Sequence, residues 1–379
     1  MKDNGAESIP SENIKVSVIL PVWNPGPGID RCIASLRGQS LREIEMIFVD
    51  DLGTDDSMTK VHAAAAADTR IRVIVNPENL GAGPSRNAGI EAARGDYLLF
   101  ADPDDYIDLT FLEELYREAL EKDLSLVKGS FVCETEDGTQ VPRFDLNQKI
   151  LTELAAGKPL FELLTYQHTS VLIARRILRD GNIRFGTSRC GEDTTFLLRL
   201  CSIEASFGIC GTSGAYHYVQ RTDSHMHRWN EQQLKWRLDG FKEKVDFLLS
   251  RKFDCNAEKY VLDSVRFLLR LHSYAVSFPE LKNYSAEFLS SIREQALRCP
   301  LTAKAVNSDL KIRGLIVYGE NLGRTPYKTY PGYPDGKEPL LIDKWWIRFL
   351  LSHPREIPAA SVDCFRTVKN KLIKALIRE

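Results

Sequence analysis

Four short, largely apolar runs set the main constraint on how this chain folds. Val16–Leu20, Glu45–Val49, Ile71–Val75 and Tyr97–Ala101 are too short for helices and rich in β-branched and aromatic residues. Each is bounded by polar or turn residues, the pattern of a buried strand. Between them lie stretches of helical periodicity. Ile29–Gln39 puts Ile29, Cys32, Ile33 and Leu36 on one face. A second helix is predicted through Ala63–Ala67, capped by Asp56 or Ser57. Two more are predicted over Pro84–Ala93 and Leu109–Glu121. Strands alternating with helices at this spacing predict an α/β fold, with βαβ units and a mainly parallel sheet flanked by helices. The first strand is expected to close at Pro21.

Further on, residues 125–132 read as another strand and Asp137-Gly138 as a hairpin turn. Beyond Trp229 the pattern changes to long helical stretches, Gln232–Leu249 and Lys259–Val276. The expected organisation is a disordered lead over 1–13, an α/β domain over 14–228 and a mainly α-helical region over 229–379. The formal net charge is −2, which gives no whole-chain sign of nucleic-acid binding. Eight scattered cysteines include no Cys-x-x-Cys pair, so zinc spacing and a dense disulfide framework are absent and reduced thiols are expected. The first 13 residues lack a signal peptide's apolar stretch, and no run reaches membrane-spanning length. A cytoplasmic protein, or one held at the inner face of the membrane, is the expectation.

The acidic residues fall at strand ends. Asp102-Pro103-Asp104-Asp105 closes the fourth run with three carboxylates, which repel one another and raise one another's pKa. A divalent cation resolves that conflict, and Mg²⁺ takes one or two protein carboxylates together with substrate phosphates. The first run ends in Pro21-Val22-Trp23-Asn24, where Trp23 offers a stacking surface for a nucleobase. The second ends in Asp50-Asp51, either of which can accept from a base N–H or a ribose hydroxyl. Gly81-Ala82-Gly83-Pro84-Ser85-Arg86 has an arginine where the dinucleotide fingerprint needs its third glycine, which excludes a nicotinamide site. Arg86, near a helix start, suits a diphosphate.

Four segments occur in order: Pro21-Val22-Trp23-Asn24; Val49-Asp50-Asp51-x-Gly53-Thr54-Asp55-Asp56-Ser57; Gly83-x-Ser85-Arg86-Asn87-Ala88-Gly89; and Gly95-Asp96-Tyr97 leading into Asp102-Pro103-Asp104-Asp105. This series resembles the nucleotide-sugar half of the inverting family 2 glycosyltransferases, which have the GT-A fold. The resemblance is close over 14–125, the nucleotide-sugar half, and weaker over 126–228, the acceptor half. It departs from the family at Trp23, where a tyrosine is usual, and at Leu52, an extra residue. It implies a nucleotide-sugar donor, UDP-linked, contacted by Pro21, Trp23, Asn24, Asp51 (favoured over Asp50), Arg86, Asp102 and Arg221. It implies Mn²⁺ or Mg²⁺ at Asp104 and Asp102, with His217 either completing the shell or packing.

Gly191-Glu192-Asp193 resembles the segment that supplies the family's catalytic base, assigned to Asp193 with Glu192 as second choice. The acceptor implied is a glycan or lipid-linked glycan, in surface polysaccharide synthesis. The basic, apolar stretch 344–379 is read as a helix packed on its own domain or a homo-oligomer contact, ahead of a peripheral membrane contact. The competing readings are a sugar-nucleotide pyrophosphorylase, which would need a basic phosphate loop after the first strand, and a non-catalytic nucleotide-sugar binding or scaffold module.

Overall fold

The computed structural model describes residues 14–140, 168–211, 213–220 and 230–250, with four further positions between 291 and 298. Its first four strands are β1 (Val16–Val22), β2 (Ile44–Asp50), β3 (Ile71–Val75) and β4 (Tyr97–Phe100). They are joined by α1 (Gly28–Gly38), α2 (Ser57–Ala67) and α3 (Ala82–Ala92). β5 (Tyr106–Ile107) and α4 (Phe111–Glu121) follow the acidic turn. Then come β6 (Leu126–Lys128), β7 (Ser130–Thr135), β8 (Val171–Ala174) and α5 (Arg175–Asp180). The series ends with α6 (Glu192–Leu200), β9 (Phe207–Ile209), β10 (Ala215–Gln220) and α7 (Glu231–Ser250).

Seven strands form one sheet in the order β3-β2-β1-β4-β8-β6-β9, and β5-β10-β7 form a second. β1 to β4 run parallel, whereas β8 is antiparallel to both β4 and β6. The sheet is therefore mixed and mainly parallel, as expected. Helices cover both faces. Val16, Val18, Leu20 and Val22 pack with Ile29, Cys32 and Leu36 of α1, Val61 of α2 and Phe111 and Leu115 of α4. Ile19, Ile47, Leu98 and Phe100 point the other way, onto Ile90 of α3 and Phe196 and Leu200 of α6. This period-2 division between two apolar layers is why the strands read as continuous apolar runs. Each such side chain contributes about 1.5–3 kcal/mol by leaving water.

Two expectations are corrected. β1 continues through Pro21, which pairs in register with Val49. Ile19 O accepts from Ala101 N–H on the β4 side, and Val22 O accepts from Asp51 N–H on the β2 side. By alternation the N–H that Pro21 lacks faces the β4 side, beyond the last paired residue of β4, so no ladder bond is lost. The single strand expected over 125–132 is two strands in different sheets, because the chain passes between sheets at Gly129. The Asp137-Gly138 turn is present, with Gly138 at φ +81°. The lead, the 259–276 helix and the 344–379 stretch lie outside the described residues. Among the described residues no helix is long and apolar enough to cross a membrane.

Candidate active site

β1, β2 and β4 all run toward one sheet edge, and the loops beyond them carry Trp23, Asp50, Asp51 and Asp102 to Asp105. Strand carboxyl ends are where open α/β sheets bind ligands. β8 runs the other way, so its entrance, His168 to Ser170, reaches the same edge.

At β2 the two aspartates differ. Asp51 is only 2% exposed. Its Oδ1 accepts from Asn76 Nδ2 (2.7 Å) and Leu80 N (2.8 Å), and its Oδ2 accepts from Gly81 N (2.8 Å). It therefore fastens the entrance of α3, and one Oδ2 acceptor position remains. Asp50 is half-buried and accepts from Leu52 N–H at 2.8 Å. Asn24, expected at the nucleotide, has its Oδ1 taken by Thr54 N (2.6 Å) and Asp55 N (3.2 Å), which ties the β1 and β2 loops together. At the start of α2 the side chain that bonds Ser57 N–H is Asp55 (3.1 Å), not the expected Asp56 or Ser57.

The acidic turn is similarly sorted. Asp105 is buried; its Oδ2 accepts from Tyr216 O–H (2.7 Å) and its Oδ1 from Val219 N (2.9 Å). Burial and the charges of Asp102 and Asp104 push its pKa well above the usual carboxylate range. Tyr216 also accepts from Asp102 N–H at 3.0 Å, so one tyrosine on β10 fixes the turn from both sides. Asp102 and Asp104 remain half-buried at the turn's surface. Two such carboxylates fit a small divalent cation that also takes phosphate and water ligands. His217 packs: its ring stacks on Tyr106 (4.2 Å between centroids) and its Nε2 lies 3.1 Å from Asp108 Oδ2. Among the described residues no group of three or more His, Cys, Asp and Glu is arranged to hold a metal. His217 Nδ1 is buried without a hydrogen-bond partner among the described residues. Arg221 lies outside the described residues.

Arg86 is 4% exposed, not a surface arginine. Its Nη2 donates to Asp102 Oδ1 at 2.7 Å and its Nη1 to Glu192 Oε1 at 3.1 Å, with the guanidinium 5.2 Å from the Phe185 ring centre. One rigid fork thus bridges the acidic turn and the first turn of α6. Neighbouring contacts hold the loop before α6 in register. Asn87 accepts from Phe185 N (2.8 Å) and donates to Phe185 O (3.2 Å). A Cβ at Gly83 would collide with Gly186 O, so only glycine lets α3 approach so closely.

Glu192 and Asp193 are pushed apart electrostatically. Burial and the Asp193 charge raise the Glu192 pKa against the pull of Arg86. Burial also acts to raise Asp193, but His168, Lys244, the Thr194 N–H and Arg86 outweigh it and hold it below the usual carboxylate range. Asp193 Oδ1 accepts from Thr194 N (2.6 Å) and Oγ1 (3.1 Å). α7 braces this loop from outside, with Glu243 accepting from Ser188 N (3.3 Å) and Arg199 Nη2 (2.9 Å).

Sequence reasoning missed three residues here. Tyr216 has no role in the sequence analysis above. His168 is buried among Phe100, Phe185 and the charges of Arg86, Asp102 and Asp193, and burial together with Arg86 lowers its pKa to about 4. Lys128 is 2% exposed at the end of β6, bonded to Ser170 Oγ, and burial lowers its pKa to about 7. No local signal marks the last two, because their burial is made by strands distant in sequence.

Comparison with known proteins gives the family and the fold. The sequence profile of Glycosyl transferase family 2 matches residues 17–181. The putative glycosyltransferase EpsH of Bacillus subtilis is 37% identical over 295 residues, covering 76% of this chain and 84% of that protein. The uncharacterized glycosyltransferase EpsJ of the same organism is 36% identical over 194 residues, covering 48% of this chain; the match spans 55% of its length. The crystal structure of S. aureus TarS 1-349 in complex with UDP-GlcNAc has a TM-score of 0.60 at 20% identity. That match covers 82% of this chain and 88% of TarS 1-349, and it shows a shared fold. With its doubly covered mixed sheet and its ordered motif series, the chain belongs to the family 2 glycosyltransferases.

Proposed function

We propose that this protein is an inverting glycosyltransferase that moves a sugar from a UDP-linked donor to a hydroxyl of a glycan or lipid-linked glycan acceptor. The observation that carries the reading is the Arg86 bridge, one buried guanidinium bonded to Asp102 and to Glu192 beside Asp193. It sets a candidate donor-binding turn and a candidate base at a fixed spacing. The TarS structure with the same fold holds UDP-GlcNAc, which supports a nucleotide-sugar donor.

In this reading Trp23, 41% exposed at the end of β1, stacks on the base. The end of β2 supplies the carboxylate that reads its N–H. Asp102 and Asp104 would hold Mn²⁺ or Mg²⁺, which supplies neutralisation of charge on the departing diphosphate. Asp193 Oδ2 takes the proton of the acceptor hydroxyl as that oxygen bonds to the anomeric carbon. The bond from that carbon to the diphosphate oxygen breaks on the opposite face, which inverts the centre. Glu192 is occupied by Arg86 and serves to place the start of α6.

Isothermal titration with UDP, with and without Mn²⁺, tests the donor half; the expected result is binding strengthened by Mn²⁺, and no metal-linked binding would refute it. Asp193→Asn should bind UDP like the wild type and lose transfer by about 10²–10⁴-fold. Loss of both binding and transfer would make Asp193 a structural residue. A hydrolysis screen across nucleotide sugars with Mn²⁺ would name the donor.

A further inference from the structure

We infer that Leu52 is the second apolar wall of the nucleobase site, facing Trp23 across the ends of β1 and β2; this rests on the nucleotide-donor reading above. Leu52 sits at φ +58°, in the left-handed region that glycine and asparagine enter far more readily than a bulky side chain. Burial does not offset that strain, because the side chain is 42% exposed. A strained, solvent-facing leucine is an outlier that needs a reason outside the fold.

The backbone around it sets which loop lies beside it. Asp51 N–H donates to Val22 O at 3.0 Å, one residue before Leu52 and one before Trp23. Beyond them, Thr54 N–H donates to Asn24 Oδ1 at 2.6 Å. A Cβ at Gly53 would lie 3.0 Å from Asn24 N and 3.5 Å from Trp23 Cα, so the two loops touch there. Leu52 and Trp23 are thus bracketed by the same pair of bonds, and both are exposed.

The surroundings select the occupant. Asp50, Asp51, Asp55 and Asp56 belong to the same loop, so a phosphate is repelled there. What fits two apolar covers and a carboxylate edge is a flat ring with apolar faces and an N–H on its rim. A uracil ring has both features, with N3–H available to a carboxylate.

The test measures UDP and UMP affinity together with thermal stability for Leu52→Gly, Leu52→Asn and Leu52→Met. Gly and Asn relieve the backbone and should raise Tm by about 2–4 °C. The same two should weaken both nucleotides about fivefold, the worth of burying about half a leucine side chain. Met keeps the apolar bulk and should bind within about twofold of wild type. Unchanged UDP and UMP affinity in the Gly and Asn variants would overturn the assignment, and so would a Met variant as weak as Gly. A wild-type protein that binds neither nucleotide would instead overturn the donor reading itself, and this inference with it.

Discussion

If Arg86 joins the acidic turn to the base loop, then Arg86 and Glu192 must be energetically coupled, and a double-mutant cycle measures by how much. In the structure the guanidinium makes two charge-assisted bonds, 2.7 Å to Asp102 and 3.1 Å to Glu192, while almost fully buried. Arg86→Met leaves two carboxylates uncompensated in a part-buried site, a loss of about 3–5 kcal/mol. Glu192→Gln keeps an acceptor for Nη1 and removes the repulsion from Asp193, so it should cost about 1 kcal/mol or less. In the double variant only Asp102 is left without its partner. The double loss should therefore fall short of the summed single losses by about 1.5–3 kcal/mol. Urea unfolding at pH 7 of the wild type, both single variants and the double variant gives the number. Arg86→Lys is a useful fifth protein, since a point ammonium cannot span both carboxylates. A coupling below about 0.5 kcal/mol, the range found for independent sites, would refute the bridge as a structural link.

Three further outcomes follow from the geometry. Lys128→Met should stabilise the protein in a pH-dependent way: below pH 7 the native lysine is charged and buried, whereas between pH 7 and 10.5 the unfolded chain holds a proton the native state has released. Stability of the wild type should therefore rise with pH across that window by up to about 1.4 kcal/mol per pH unit, and the variant's advantage should shrink toward pH 10.5; a pH-independent difference in urea melts would contradict this. Tyr216→Phe removes the hydroxyl shared by Asp102 N–H and Asp105, so it should cost about 2–3 kcal/mol and weaken Mn²⁺-dependent UDP binding; unaltered nucleotide affinity would show that the turn holds its shape without it. Gly89→Ala should destabilise by about 1–3 kcal/mol in thermal melts, because its Cβ would collide with Ile19 Cγ2 where α3 lies on β1.

Much of the fold was legible because it is local. Apolar runs of five residues, separated by helices with one apolar face, can bury themselves only as a sheet covered on both sides, and α1 to α4 fall within about two residues of the periodicity. Where the sequence misled, a distant element intervened. The 125–132 run reads as one strand, yet its two halves are claimed by different sheets, β6 by β8 and β7 by β10. Pro21 reads as a terminator, yet β4 ends early enough to leave its missing N–H harmless.

The amino-acid sequence by itself determined that carboxylates would gather at the carboxyl ends of β2 and β4, since each follows directly on a strand, and that a second acidic pair would open α6. Only the tertiary structure decided which of those carboxylates are spent on holding the protein together. Asp51 is taken by Asn76 and the backbone of Leu80 and Gly81, Asp105 by Tyr216 and Val219, and Glu192 by Arg86. Asp193 accepts from its neighbour Thr194, and its surroundings hold it below the usual carboxylate range. Neighbouring aspartates are chemically alike along the chain; they become different through desolvation and through donors that arrive from 25 to more than 100 residues away, and those exist only once the sheets and helices have closed.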